Sequence, residues 1–163
     1  MELYVPVSFS ARIPTKDSAR PASSQDAEQF GALCYREKNG KIEILLITSR
    51  GTGRWIVPKG WPVKGQTPAG SATVEAFEEA GVEGRAKPVC AGVYGYDKLA
   101  EDGRGTPVRV ALFPLRVRKL RRKYPEAEQR KRRWFSRKRA AELVDEAELK
   151  TILRSFDPAA LTP

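Results

Sequence analysis

Between Gly60 and Val82 the chain reads Gly-Trp-Pro-Val-Lys-Gly-Gln-Thr-Pro-Ala-Gly-Ser-Ala-Thr-Val-Glu-Ala-Phe-Glu-Glu-Ala-Gly-Val, a loop that feeds a short helix. Thr67 can cap the helix, and Pro68 suits its first position because the missing N–H would be unpaired there anyway. Gly81 can take the left-handed conformation that ends it. The spacing therefore predicts a helix from Pro68 to Ala80. At about 100° per residue, Glu75, Glu78 and Glu79 share an arc of about 100°, while Ala69, Thr73, Ala76, Phe77 and Ala80 point the other way, toward a core.

Three carboxylates on one face are unfavourable for a helix on its own. Like charges at i,i+3 and i,i+4 repel, and Glu78 and Glu79 fall in the last turn, where the macrodipole is already negative. No Lys or Arg occurs between Lys64 and Arg85, in a chain that has 30 of them. The expectation is neutralisation by something outside the sequence, and clustered oxygen donors suit Mg²⁺ or Mn²⁺. A Glu-rich stripe alone usually marks a solvated helix face; the loop in front of this one changes the balance.

Loop and helix together resemble the Nudix box, G-x5-E-x7-R-E-U-x-E-E-x-G-U with U bulky and aliphatic. Gly60, Glu75, Glu78, Glu79, Gly81 and Val82 stand where that family has them, whereas Gln66 replaces the first Glu, Val74 the Arg and Ala76 the bulky aliphatic. In the family the Arg is understood to orient the first Glu of the helix, which Val74 cannot do. A phosphate-binding P-loop is excluded, because Gln66 stands where its Lys must be.

The resemblance covers roughly Glu28 to Phe156 and implies an α/β fold, the Nudix-type α/β/α sandwich with a mixed β-sheet. Residues 29–156 would form that domain, 1–28 an extension and linker, and 157–163 a tail. Trp55-x-x-Pro58-Lys59-Gly60 and Arg133-Trp134-Phe135 look like the branch that hydrolyses diphosphoinositol and diadenosine polyphosphates. The implied activity is metal-dependent cleavage of a phosphoanhydride in a polyphosphorylated small molecule. Glu75 and Glu79 would be the main ligands of Mg²⁺ or Mn²⁺, with Glu78 completing the cluster and the Gly60 carbonyl an extra ligand. Glu79 would take the proton from water, with Glu75 its rival and Asp97, Glu101 and Asp102 further candidates on the loops. Arg54, Lys59 and Arg109 would hold the non-reacting phosphates. Two alternatives stand beside this reading: a Nudix-fold ligand-binding module with weakened turnover, and an RNA 5′-end pyrophosphohydrolase.

Composition narrows the chemistry. The 163 residues suffice for one domain with a real core, and 30 basic against 20 acidic side chains give a net charge of +10, which attracts polyanions. There is no histidine. Ser-His-Asp and Cys-His nucleophile systems and imidazole-ligated zinc are thereby excluded, so phosphate chemistry would have to run on carboxylates and metal. Cys34 and Cys90 each lie in apolar, strand-like surroundings and are expected to be buried free thiols in a reducing cytosol. The longest clear aliphatic run is Ile44 to Ile47, and Pro6, Arg12 and Pro14 interrupt any leader-like run, so a cytoplasmic protein without a membrane span is expected.

Along the chain, Leu3 to Val7 is a short apolar piece and Ser18 to Ala27 a Ser/Ala/Pro-rich linker. Phe30–Arg36 and Lys41–Ser49 are strand-like and meet at Asn39-Gly40, a strong hairpin signal. Arg54–Val57, Lys87–Asp97 and Pro107–Val117 read as further strands, the last with Val108, Val110 and Leu112 on one face, and Lys98–Thr106 as a loop. Trp134-Phe135 closes another strand. Ser136 can cap a helix to about Val144, and Asp145 another to about Phe156. From Arg116 to Arg139 thirteen Lys or Arg stand against Glu126 and Glu128. Such a run is either a solvated, flexible loop or a wall for a polyanion; Trp134 and Phe135 within it are expected in the core.

Overall fold

The computed structural model describes residues 3–6 and 27–161. The hairpin predicted at Asn39-Gly40 joins β2 (Glu28–Lys38) to β3 (Lys41–Thr48), with both turn residues at positive φ, 53° and 76°. That geometry matches the twist of the two strands, which is why Asn-Gly is favoured there. Beyond β3, β4 (Trp55–Ile56) pairs with β3 and β5 (Lys59–Gly60) pairs with β2. Helix α1 (Pro68–Ala80) follows, then β6 (Val82–Glu83), β7 (Gly92–Leu99), β8 (Gly105–Arg116), β9 (Lys119–Leu120) and β10 (Arg132–Ser136). Helices α2 (Arg137–Leu143) and α3 (Ala147–Ser155) close the chain before a short 3₁₀ turn at Pro158–Ala160.

The main sheet has eight strands, with β7, β8, β2, β3 and β10 in that order across its body. β2 runs parallel to β8 and antiparallel to β3, so the sheet is mixed. β1 (Leu3–Pro6) adds an antiparallel edge strand beside β7, so backbone from the expected extension belongs to the sheet. The linker expected at Ser18–Ala27 lies outside the described residues except for Ala27. β6 and β9 form a separate two-stranded sheet that the sequence reading missed.

β2 and β8 are buried on both faces and therefore read as near-continuous apolar runs. On one face Leu33, Tyr35, Ile44, Leu46, Val108, Val110 and Leu112 pack with Ala140, Leu149 and Leu153 of α2 and α3. On the other, Ala32, Cys34, Leu45, Ile47, Ala111 and Phe113 pack with Ala69, Ala72, Ala76 and Ala80 of α1. This is the expected α/β/α sandwich. The alanine seam lets α1 approach the sheet closely, and truncating a fully buried Leu such as Leu33 to Ala would cost about 2–5 kcal/mol.

Local expectations for the helices hold where the signal is local. Thr67 Oγ1 accepts the Gly70 N–H at 3.0 Å, and Gly81, at φ 65°, ends α1 with its N–H on Phe77 O at 2.9 Å. Ser136 Oγ accepts the Arg139 N–H at 3.1 Å. Four expectations need correction. Phe77 is exposed rather than core, because the buried stripe of α1 is rotated toward Ser71, Ala72 and Glu79. Asp145 does not cap α3; its carboxylate is drawn to Arg54, and Glu146 holds the cap position without a side-chain bond. Cys90 is exposed, while Cys34 is buried, and burial pushes its thiol pKa up. The strand expected from Lys87 starts at Gly92, since Pro88 has no N–H for a ladder. Among the described residues no helix is long and apolar enough to cross a membrane.

Candidate active site

The site forms where β5 leaves β2 and the C-terminal half of α1 crosses the sheet. Phe30 pairs with Gly60 and Gly31 with Lys59, which sets the Lys59-Gly60 backbone directly under the helix. Any side chain at Gly60 would overlap the Glu75 carboxyl group, so only glycine permits this approach. One turn further along, Glu79 Oε1 accepts the Lys59 backbone N–H at 2.9 Å.

The three carboxylates therefore have different environments, although the helical wheel put them on one face. Glu78 is exposed, Glu75 half-buried and Glu79 only 6% exposed. Burial pushes the Glu75 pKa up to about 7, with Glu79, Glu78 and Glu126 adding to the rise and Lys59 opposing it. Burial likewise raises Glu79, but Arg130, Lys59 and the Lys59 hydrogen bond pull it back.

Neutralisation of Glu79 comes from within the chain, which corrects the expectation that only an outside group could supply it. Arg130 Nη2 donates to Glu79 Oε2 at 3.0 Å and reaches Glu126 Oε1 at 3.5 Å, while Nη1 donates to the Thr48 carbonyl at 3.1 Å. Arg50 Nη1 lies 3.2 Å from the same Glu126 oxygen. The basic stretch from Arg116 to Arg139 is thus no single flexible loop. It contains β9, β10 and the start of α2, and it docks on the end of α1: Arg121 N bonds Gly81 O, Glu126 N bonds Glu78 O, and Arg132 Nη1 donates to Ala80 O at 2.7 Å. Cations at a helix C-terminus offset the macrodipole. Trp134 and Phe135 are partly buried, each packed against one of the two cores.

Of the expected phosphate-holding residues, Lys59 Nζ donates to Tyr96 Oη at 3.3 Å, and Tyr96 Oη in turn donates to the buried Gln29 Oε1 at 2.6 Å. Arg54 is engaged with Asp145 at 2.6 Å. Arg109 is half-buried on β8, with its backbone N–H on Ala27 O. Asp97 stands opposite Pro107 in the β7–β8 hairpin, Glu101 lies in its loop, and Asp102 accepts the Arg104 N–H there. Gln66 and Val74 line a groove of about 550 Å³ with Thr73, Arg85, Ala86 and Pro88. None of the α1 glutamates lines that groove.

The donor set of Glu75, Glu78, Glu79 and the Gly60 carbonyl is all oxygen and fits a hard divalent cation. A cation would also relieve the mutual repulsion that raises Glu75. As they stand, no three acidic side chains among the described residues converge on one point, because Glu79 is turned to Lys59 N and Arg130. Arg130 and Glu126 were missed by sequence reasoning; the one available signal was Glu126 as a rare acid inside the basic block.

A model of the NUDIX domain matches residues 27–156, and the chain belongs to the Nudix family. It is 30% identical over 119 residues to Nudix hydrolase 12, mitochondrial, of Arabidopsis thaliana, covering 71% of this chain and 59% of that protein. To diphosphoinositol polyphosphate phosphohydrolase 3-alpha of Mus musculus it is 32% identical over 110 residues, covering 66% of this chain and 63% of that protein. The chain thus spans about three fifths of the length of these relatives. Among solved structures it is similar to a C. elegans Ap4A hydrolase, with a TM-score of 0.55 and 25% identity over 78% of this chain and 93% of that one.

Proposed function

We propose that this chain is a metal-dependent phosphohydrolase that cleaves a phosphoanhydride in a polyphosphorylated small molecule of the diphosphoinositol or dinucleoside polyphosphate type. The observation that carries the reading is the half-buried Glu75 set against Gly60, one turn from the buried Glu79 and beside Lys59. Similarity to a diphosphoinositol polyphosphate phosphohydrolase and to an Ap4A hydrolase supports the substrate class. Mg²⁺ or Mn²⁺, when bound, polarises phosphoryl oxygens and lowers the pKa of an attacking water.

On this reading Glu75, Glu78, Glu79 and the Gly60 carbonyl hold the cation. Both oxygens of Glu79 already accept hydrogen bonds, whereas the Glu75 carboxylate accepts none from a described residue. Glu75, the rival in the sequence reading, is therefore the better placed of the two to take the proton from water, in place of Glu79. Lys59, with Arg54 and Arg109, would bind the non-reacting phosphates. Arg122 and Lys123, exposed and with no ionic partner among the described residues, would add attraction for a polyanion.

The test is product release from diadenosine and diphosphoinositol polyphosphates, ADP-ribose and a nucleotide sugar, with Mg²⁺ or Mn²⁺ and with chelator. Turnover that needs the cation and favours the polyphosphates is expected; turnover undiminished in excess chelator would sink the reading. The occupied Glu79 carboxylate favours a second reading, a binding module with weakened turnover. Tight polyphosphate binding without product under any metal would establish it. A capped RNA or 5′-triphosphate RNA as the best substrate, with steep salt dependence, would instead point to RNA-end hydrolysis.

A further inference from the structure

Trp61 and Phe77 are the two exposed large hydrophobic side chains among the described residues. A single exposed apolar residue is ordinary on a protein surface, and Phe77 needs no other account. Trp61 is different, because it is 42% exposed and yet held: Lys98 Nζ lies over its indole, 4.9 Å from the ring centroid. The same two segments make a second pair. Lys59 Nζ lies 4.4 Å from the Tyr96 ring centroid and donates to Tyr96 Oη at 3.3 Å. Lys59 and Trp61 flank Gly60, while Tyr96 and Lys98 are two residues apart on β7 and so share a face of that strand. Each segment gives one cation and one ring.

This strip adjoins the reactive carboxylate. Gly60 is the residue whose backbone stands against the Glu75 carboxyl, and consecutive Cα atoms are about 3.8 Å apart, so the indole is rooted one residue from that contact. The backbone that carries it is fixed on both sides. Gly60 is paired with Phe30 in the sheet, Pro62 restricts Trp61 to extended backbone, and Val63 N donates to the buried Ser71 Oγ of α1 at 2.9 Å. Little freedom is left to be lost when a flat partner settles on the ring.

The chemistry of the strip divides the two substrate types. Ammonium groups such as those of Lys59 and Lys98 attract the phosphates of any polyphosphate. An indole attracts only part of them: a nucleobase stacks on it, whereas a saturated, phosphorylated ring has no π-face to offer. Resting on the hydrolase reading above, we propose that Trp61 is a specificity-determining residue, a platform on which the base of a nucleoside polyphosphate stacks, so that the site prefers dinucleoside polyphosphates to diphosphoinositol polyphosphates.

The test uses the full chain with Trp61→Ala, Trp61→Leu and Trp61→Phe. Binding of ATP and of inorganic tripolyphosphate, which differ by the nucleoside, is measured by calorimetry in chelator, so that no turnover intervenes. Native protein should bind ATP about tenfold more tightly than tripolyphosphate, the order expected for one base stacked on an aromatic ring. Trp61→Ala and Trp61→Leu should bring ATP down to the level of tripolyphosphate, and Trp61→Phe should keep most of the difference. With Mn²⁺, Trp61→Ala should raise KM for diadenosine tetraphosphate several-fold at nearly constant kcat and leave a diphosphoinositol polyphosphate unaffected. Native protein that binds ATP no more tightly than tripolyphosphate overturns the proposal. So does an ATP affinity untouched in Trp61→Leu, or an equal loss on both substrates. If Trp61→Ala does not fold, the comparison of Trp61→Leu with Trp61→Phe decides. Native protein that binds ATP through Trp61 yet hydrolyses nothing refutes the hydrolase reading and leaves the platform standing; hydrolysis of both substrates indifferent to Trp61 refutes the platform alone.

Discussion

Glu75 and Glu79 sit one turn apart on the same helix, but the protein treats the two ends of this short face in opposite ways. Around Glu79 it supplies a buried guanidinium and a backbone N–H. Around Glu75 it supplies a glycine, three acidic neighbours and a single opposing lysine, which leaves the carboxyl with a pKa of about 7. A charge with partners inside the protein is held in place; a charge without them is left open to a cation or a proton. The difference separates a carboxylate the protein holds from one it leaves open within one helical turn.

The sharpest way to break the comparison is to neutralise each carboxylate. Glu75→Gln should lower kcat about 10²–10⁴-fold, the usual worth of a positioned proton acceptor, with the far-ultraviolet circular dichroism unchanged. Glu79→Gln should also lower activity, but it leaves the buried Arg130 with only Glu126 as a charged partner and should destabilise the fold by about 1.5–3 kcal/mol, read from denaturant unfolding. Equal stability losses in the two variants would erase the distinction.

Gly60→Ala comes next in size. Its methyl group would overlap the Glu75 carboxyl and push it from the backbone, so activity should fall while the melting temperature drops by only a few degrees. Unchanged kinetics would show that the contact with Gly60 does not set the position of Glu75.

Proton linkage sharpens the comparison further. Glu75 has its pKa raised on folding from 4.5 to about 7, so its contribution favours the folded state below pH 4.5 and is lost as pH rises to 7. In chelator, the melting temperature should therefore decline across that window, and Glu75→Gln should flatten the decline. Mn²⁺ should raise the melting temperature more at pH 8 than at pH 5. A native profile identical to that of Glu75→Gln would mean that Glu75 titrates normally.

The smallest effect is expected at the exposed cations. Arg121 is paired with Glu83 at 3.3 Å, whereas Arg122 and Lys123 have no ion pair among the described residues, so the double change of Arg122 and Lys123 to Ala tests attraction without breaking a described contact. KM for a polyphosphate should rise a few-fold more than KM for ADP-ribose, and its salt dependence should flatten. Equal effects on both substrates would return these residues to the role of a solvated surface.

What the sequence determined by itself is what a few neighbouring residues decide. The limits of α1 follow from Thr67, Pro68 and Gly81, the β2–β3 turn from Asn39-Gly40, and the start of α2 from Ser136, because caps and turns are satisfied within four residues. The family pattern was legible for the same reason, since its spacing lies within one loop and one helix. The tertiary structure alone decided the rest. A helical wheel placed three glutamates on one face, but which of them is buried depends on how α1 is rotated against β2, and the alanine seam allowed several rotations. Nothing local assigned Asp145 to Arg54, 91 residues away, or Arg130 to Glu79. Thirteen cations between Arg116 and Arg139 are equivalent in a sequence. They become distinct only when β9 and β10 dock on the end of α1, where Arg130 is fixed on Glu79 and Arg132 on the Ala80 carbonyl, while Arg122 and Lys123 stay exposed.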